Sequence, residues 1–443
     1  MVIECCTKND SINNRICDRI SPSIVNSVLN IILCVELVLG VLYRTDLSVW
    51  GSRYILWGLF GGYCLVALYR IFSRLDLYSK SFWAITIMLI VIGIVDYFST
   101  GRNMFLKMTV ILLAIGGGYG EEPCSQIIKW IMITFLSVTV VIIFASLTVG
   151  YGTLYHTDIR SFRGAGGVRY SLGFHDSLIL QSVIMHITIL YCLVRNYRMR
   201  MTEYIALFII GCMFFALTDS LTSSILIVLG VTIFITIRIC DEYQDIIAKF
   251  LAFVNTGWLI ISIGISLLIA SKVINSGNSV VLDSILSGRI HQLTVKLSGD
   301  NLLPYMENWS VFSNRLCQAG YDLGYLELFY TYGIVPGIIY IGFLLYGVYV
   351  MWHRKAVMEL TAMLIFSMYL FMEGIYWGNY VTMNFQYVLV ATTVGTVSTR
   401  ETTLVHEDNI NKRMLFVLCV IMILFSVLVF GTKIRMNSTF VPI

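Results

Sequence analysis

The chain has 443 residues, of which 58% are hydrophobic and 13% are charged, whereas a soluble domain carries about a quarter charged residues. That balance excludes a water-soluble globular protein, and five prolines exclude a long collagen-like or proline-rich tract. A formal net charge of +4, spread along the loops, is the ordinary basic bias of a membrane protein and not a nucleic-acid footprint, so no nucleic-acid partner is expected.

The N-terminal segment from Met1 to Ser23 carries Lys8, Arg15 and Arg19 among acids and lacks the apolar stretch of a cleavable signal, so insertion is expected to rely on the first apolar helix. Helices long enough to cross a hydrocarbon core, about 20 residues each, are predicted at about 24–43, 54–73, 82–98, 104–119, 127–148, 177–194, 204–217, 221–237 and 251–274. Four more follow at about 325–350, 357–374, 381–397 and 414–432. The expectation is therefore an all-α, polytopic transmembrane helix bundle of 10–14 spans, with 13 the best count, filling residues 1–443 as one membrane domain. The blocks at 104–119 and 204–217 are short for a span.

Basic residues set the expected orientation. Arg70, Arg74 and Lys80, then Arg195, Arg198 and Arg200, then Arg238 and Lys249, then Arg354 and Lys355, and finally Arg400, Lys412 and Arg413 fall on one side if the N-terminus is cytoplasmic. The opposite face then receives two long connections, 149–176 and 275–324, whose own arginines run against that bias. Eleven cysteines are scattered with no CxxC pair, which suggests neither a disulfide framework nor a zinc site. No cofactor or metal is expected.

The first extracytoplasmic loop interleaves Arg160, Arg163 and Arg169 with Gly164, Gly166, Gly167 and Gly173. Glycines let a backbone approach a ligand closely, and the guanidinium fork matches phosphate oxygens, so the loop suits a phosphate-bearing ligand; contact with lipid headgroups is the alternative. His175 and Asp176 follow as an acid–base pair or as a polar helix cap. In the second loop, a helix over 282–297 would put Leu282, Ile285, Leu286, Ile290, Leu293 and Leu297 on one stripe, with Arg289 and Lys296 about 20 degrees apart at its edge. Such a helix suits a lipid with an anionic head, or plain snorkelling at the interface. Asp300, Glu307, Trp309, Arg315, Tyr321, Asp322 and Glu327 supply carboxylates and aromatic rings of the kind that bind sugars. Within the apolar blocks, Glu36 and His186 lie deep, while Asp96 and Glu373 lie near helix ends where they can reach water.

Four stretches between about 150 and 350 resemble the Wzy-type polysaccharide polymerases and the related O-antigen ligases. They are Arg169-Tyr170-Ser171-Leu172-Gly173-Phe174-His175, Thr218-Asp219-Ser220-Leu221-Thr222-Ser223, Ser287-Gly288-Arg289, and Asp322-Leu323-Gly324-Tyr325-Leu326 followed by Tyr332-Gly333-Ile334. The chain departs from the family at Asp176-Ser177, where Asn-Pro is common, at Leu221, where the Thr/Ser turn often has Arg, and at Leu323, where Asn often follows the Asp. The resemblance implies a GT-C-like fold in a bacterial plasma membrane, with the active site facing outward. It implies polymerisation of undecaprenyl-diphosphate-linked oligosaccharide repeats, membrane lipids as surroundings, and flippase and chain-length-regulator proteins as partners. Arg169, Arg289, Asp322 and His175 are then the catalytic candidates. Arg160, Arg163, Arg315, His291, Lys296 and Tyr325 are candidates for substrate binding. A ligase acting on the same lipid, and a transporter or flippase of it, are the competing readings.

Overall fold

The computed structural model describes residues 22–45, 52–73, 80–101, 103–115, 123–158, 167–195, 198–273, 290, 306, 309–312, 323–373, 383–394 and 416–424. Of that structure 86% is helical, which makes the fold nearly all-α. Five helices come first: α1 (Pro22–Leu42), α2 (Ser52–Ser73), α3 (Lys80–Thr100), α4 (Met104–Ile115) and α5 (Pro123–Val149). A two-stranded antiparallel hairpin follows, β1 (Tyr155–Asp158) and β2 (Gly167–Tyr170). The chain continues through α6 (Ser177–Arg195), α7 (Met201–Thr218), α8 (Leu221–Ile239) and α9 (Gln244–Ala270). Beyond the second long connection come α10 (Gly324–Tyr332), α11 (Ile334–His353), α12 (Val357–Met372) and α13 (Phe385–Val394), and residues 416–424 are also helical.

Among the described residues nine helices are long and apolar enough to cross a membrane, so the chain is a multi-pass helical membrane protein. The exterior is apolar: Phe144 on α5 and Phe253 on α9 are 66% and 75% exposed, an arrangement that only lipid tails accommodate for so many large side chains. Five threonine hydroxyls inside these helices turn back on their own backbone. Thr86, Thr109, Thr139, Thr188 and Thr361 each donate to the carbonyl four residues earlier, at 2.7–2.9 Å, so no hydroxyl proton is left facing hydrocarbon there.

Several boundaries differ from the sequence expectation, four of them with a structural consequence. The block expected at 204–217 begins at Met201 and reaches spanning length, because Glu203 is drawn into a cluster with Tyr191 and Arg195 at its foot. The block expected at 251–274 starts at Gln244, with charged Asp245 and Lys249 exposed on the first turns. The described part of the block at 104–119 is α4, 12 residues and thus about 18 Å long, less than a span. The block at 325–350 is two helices, because Gly333 breaks it at φ +95° and ψ 169°. Asp96 and Glu373 also differ: both are enclosed by protein rather than open to water.

One end of the bundle is tied together by the first loop. Phe174 is fully buried and forms an isolated bridge with Thr45, just past α1. The His175 amide donates to the Arg44 carbonyl at 2.9 Å, and the hydroxyls of Thr45 and Tyr151 meet at 2.8 Å. The opposite end holds Arg70, Arg195 and Arg354. Arg70 donates to Asn26 Oδ1 and to the last carbonyl of α4, Ile115 O, at 2.6 and 2.7 Å, which caps that short helix inside the protein. Arg195 pairs with Glu203, Lys355 with Asp245, and Arg354 donates to Thr393 O near the last residue of α13.

Gly333 is the clamp between loop and bundle. Ile334 and Val335 amides donate to Ser310 and Val311 carbonyls, both at 3.0 Å, and a Cβ on Gly333 would lie 2.5 Å from the Phe312 carbonyl carbon. Its backbone region is one that essentially only glycine adopts, at a cost of about 1–3 kcal/mol for other residues. Gly333→Ala is therefore expected to lower the thermal midpoint of the detergent-solubilised protein by at least that much stability, read by a heating and aggregation assay. An unchanged midpoint would show that the break does not depend on glycine.

Candidate functional site

The hairpin presents Arg169. In its register Tyr155 opposes Tyr170, His156 opposes Arg169, Thr157 opposes Val168 and Asp158 opposes Gly167. Directly opposed residues of an antiparallel pair share a face, so His156 and Arg169 lie on one side and the two tyrosines on the other, their rings 6.4 Å apart. The hairpin is closed at its base by Ser171: its amide donates to Leu154 O and its hydroxyl to Thr153 O, at 3.0 and 2.6 Å. Gly152 is required there, at φ +64°, because a Cβ would sit 2.7 Å from Gly173 O. His156 Nε2 lies 3.0 Å from the carbonyl of His175, which joins the strand to the segment entering α6.

Arg169 reaches the turn between α7 and α8. Its Nη2 lies 3.5 Å from Asp219 Oδ2, and the two side chains are only 12% and 10% exposed. A pair this enclosed is not a surface salt bridge. Asp219 stands at φ +56° and ψ +28°, the left-handed C-cap of α7, with its amide donating to Phe215 O at 2.8 Å. Among non-glycine residues, Asp and Asn reach that conformation most readily.

A buried polar scaffold fixes the turn from below. Gln181, one turn into α6, donates to Ser224 Oγ at 2.8 Å and accepts from Thr218 Oγ1 at 3.3 Å. Ser224 donates to Ser220 O at 2.6 Å, and the Ser220 amide lies 3.4 Å from Thr218 Oγ1. All four side chains are buried. Three helices are thereby locked in register beneath Arg169, so two stretches that stand far apart in sequence, the arginine-led one and the Thr/Ser turn, meet at one place.

His175 is exposed beside this site, with its side chain open to solvent, while Asp176 is the N-cap of α6: its Oδ1 accepts from the Leu178 amide at 3.1 Å. Of the two roles left open for the pair, capping belongs to Asp176. Tyr325, expected to bind substrate, is fully buried in the first turn of α10, its hydroxyl directed toward Gln386 and Ser367 inside the bundle. Arg160, Arg163, Arg289, His291, Lys296, Arg315 and Asp322 lie outside the described residues, as does the helix expected over 282–297 apart from Ile290, which is buried in the core. Trp309 is half-buried and stacks on Phe329, ring centroids 5.5 Å apart and planes 9° from parallel, so that face of the indole is occupied by protein.

The deep histidine is a packing residue in its contacts. His186 Nδ1 lies 2.6 Å from Ser182 O, and the ring sits against Phe366, Tyr369 and Phe385 at 4.9–5.5 Å. Glu36 accepts from the Tyr63 hydroxyl at 2.7 Å, and its charge acts on Lys107, which is buried at the start of α4. Among the described residues no group of three or more His, Cys, Asp or Glu side chains could hold a metal ion, and the described cysteines are free thiols.

Sequence reasoning passed over Asp219 and Gln181 as site residues. An acid at the junction of two apolar helices, and an amide one turn inside another, were the available signals; their partners, 50 and 37 residues away, were not. Gln181→Leu is expected to remove the link between Thr218 and Ser224, whose hydroxyls still donate to Phe214 O and Ser220 O, costing about 0.5–1.5 kcal/mol for each hydrogen bond lost. The measurement is the thermal midpoint in detergent, and a midpoint equal to wild type would show the scaffold to be dispensable. No family model, curated protein or solved structure matches the chain.

Proposed function

We propose that the chain is a membrane glycosyltransferase that polymerises undecaprenyl-diphosphate-linked oligosaccharide repeats at the outer face of a bacterial plasma membrane, as the resemblance to Wzy-type polymerases implies. The observation that carries the reading is Arg169: a guanidinium nearly enclosed by protein, held on a hairpin against the Thr218–Ser220 turn, at the end of the bundle where the first loop is stitched down. A fixed cation at a bilayer face suits an anionic group that departs from a sugar.

The proposed reaction is a glycosyl transfer. The bond from the anomeric carbon of the donor sugar to the diphosphate oxygen breaks, and its electron pair goes to the diphosphate. A hydroxyl of the acceptor glycan forms the new bond to that carbon and gives up its proton. Negative charge grows on the departing diphosphate, and preorganised donors aimed at it lower the barrier; Arg169 and Arg289 are assigned that role, with Arg160, Arg163 and Arg315 in support. The proton needs an acceptor within hydrogen-bond reach, and His175, exposed beside the hairpin, and Asp322 are the candidates. Arg289, Arg160, Arg163, Arg315 and Asp322 enter from the sequence alone. His291 and Lys296 complete the proposed substrate contacts, whereas Tyr325, fully buried in α10, belongs to the packing of the bundle. Flippase and chain-length-regulator proteins are the proposed partners.

A second reading, transport of the same lipid, draws on Glu36, Tyr63 and Lys107, a buried charged cluster among α1, α2 and α4 of the kind that ion pathways use. A ligase shares the donor chemistry and differs in acceptor.

The purified chain, given lipid-diphosphate-linked repeats and no nucleotide sugar, is expected to lengthen them with a divalent-metal chelator present. Arg169→Ala and Arg289→Ala are each expected to lower the rate about 100- to 1000-fold with membrane levels unchanged. Lysine at either position recovers little, because a point charge lacks the planar fork. Product ladders on gels report the outcome. Lipid crossing the bilayer without lengthening supports the transporter, and transfer only to a different acceptor supports the ligase. Wild-type polymer from the double variant overturns the site.

A further inference from the structure

We propose that Asp219 is a positioning residue for Arg169, its carboxylate setting the plane of the guanidinium before a diphosphate arrives. The inference rests on the polymerase reading above and adds to it a residue that acts through the arginine.

The turn is closed by bonds other than the contact between the carboxylate and Arg169. Its closure comes from the Asp219 amide on Phe215 O, from Thr218 Oγ1 beside the Ser220 amide, and from Ser224 on Ser220 O. Glycine is the usual residue at a left-handed helix cap, and it carries no penalty there. An acid at that point meets the negative end of α7 and the positive end of α8 together, so the two helix dipoles largely cancel. Asp219 Oδ2 faces Arg169 Nη2 at 3.5 Å, in a pair where each side chain is about nine-tenths enclosed. The scaffold of Gln181, Thr218, Ser220 and Ser224 makes the turn rigid, so the carboxylate is a fixed post and not a floating counter-charge.

Positioning of this kind changes catalysis in a definite way. An arginine has many rotamers, and holding it in one of them removes the ordering step from the approach to the transition state. One carboxylate oxygen on Nη2 orients the fork while the guanidinium keeps its positive charge, since arginine does not deprotonate in proteins.

The test uses the full chain in the polymerisation assay, with Asp219→Gly, Asp219→Asn and Arg169→Lys, alone and combined. Glycine keeps the turn and removes the carboxylate, and asparagine keeps the turn with a neutral acceptor. Asp219→Gly is expected to insert normally and lower kcat by about 10- to 100-fold, the scale of a misplaced catalytic group. Asp219→Asn is expected to fall between it and wild type. In the Arg169→Lys background, Asp219→Gly is expected to cost less than about 3-fold, because the group it positions is already altered. Wild-type kcat from Asp219→Gly overturns the proposal, as does an equal loss in both backgrounds. If Arg169→Ala retains wild-type polymer yield, the polymerase site falls and the positioning role falls with it. A dead Arg169→Ala beside a fully active Asp219→Gly sinks the positioning role alone.

Discussion

In hydrocarbon no water satisfies a polar group, so every N–H, C=O, hydroxyl and charge in the membrane-embedded part must find its partner within the chain. Helices meet that demand for the backbone, and the threonines that donate to the carbonyl four residues back meet it for side chains. Where a helix stops short of spanning, the demand falls on something else. At the end of α4 it falls on Arg70, whose guanidinium takes the Ile115 carbonyl and, through Asn26, ties α1 to the same point. At the break between α10 and α11 it falls on the 309–312 segment, which pairs with the amides just after Gly333. These two irregular places are therefore also places where distant segments are joined.

The same rule builds the site. A turn between two spanning helices ends in orphan carbonyls and begins with orphan amides. The Thr218 and Ser224 hydroxyls meet the Ser220 amide and carbonyl, the Gln181 amide links those two hydroxyls, and none of these side chains carries charge into the bundle. Above this neutral scaffold the chain places its charged pair, Arg169 with Asp219, at the boundary where the protein thins toward water. Placing the pair there keeps the desolvation cost below that of a fully buried pair while leaving the arginine better shielded than any surface residue. A donor in that position is stronger toward an incoming anion than one in bulk water, and it is already oriented.

Helix type and order were legible because a hydrophobic block of about 20 residues has few other solutions, whatever its detailed sequence. Boundaries were less so. Glu203 made 204–217 look short, yet in the folded chain that acid is neutralised by Arg195 and hydrogen-bonded by Tyr191, so the helix continues through it. The break at Gly333 was hidden inside an apolar run, Tyr332 to Val335, whose hydropathy does not change across it. The hairpin was read as a glycine-rich loop, since β-strands of four residues give too little alternation to see. Arg169 was legible as an arginine against the charge bias. Its partner was not, because the pairing of Arg169 with Asp219 exists only once α6, α7 and α8 pack in order.

The buried charges on the other helices bear on the choice between enzyme and transporter. Alternating access needs elements that exchange partners, and it favours interrupted helices arranged in related pairs around a midplane site. Here the short helix α4 is pinned at both ends: Arg70 holds its last carbonyl, and Phe105 near its start packs edge-on against Tyr332, centroids 5.7 Å apart. Tyr387 on α13 also hydrogen-bonds the Met108 carbonyl within it. Glu36, Tyr63 and Lys107 thus sit beside an element anchored at several points rather than one poised to rock. Rigid anchoring is what a catalytic site requires of its surroundings, because a donor aimed at developing charge is effective only while its geometry is held. The physical reading that accommodates both the fixed short helix and the fixed arginine is a scaffold built to hold still.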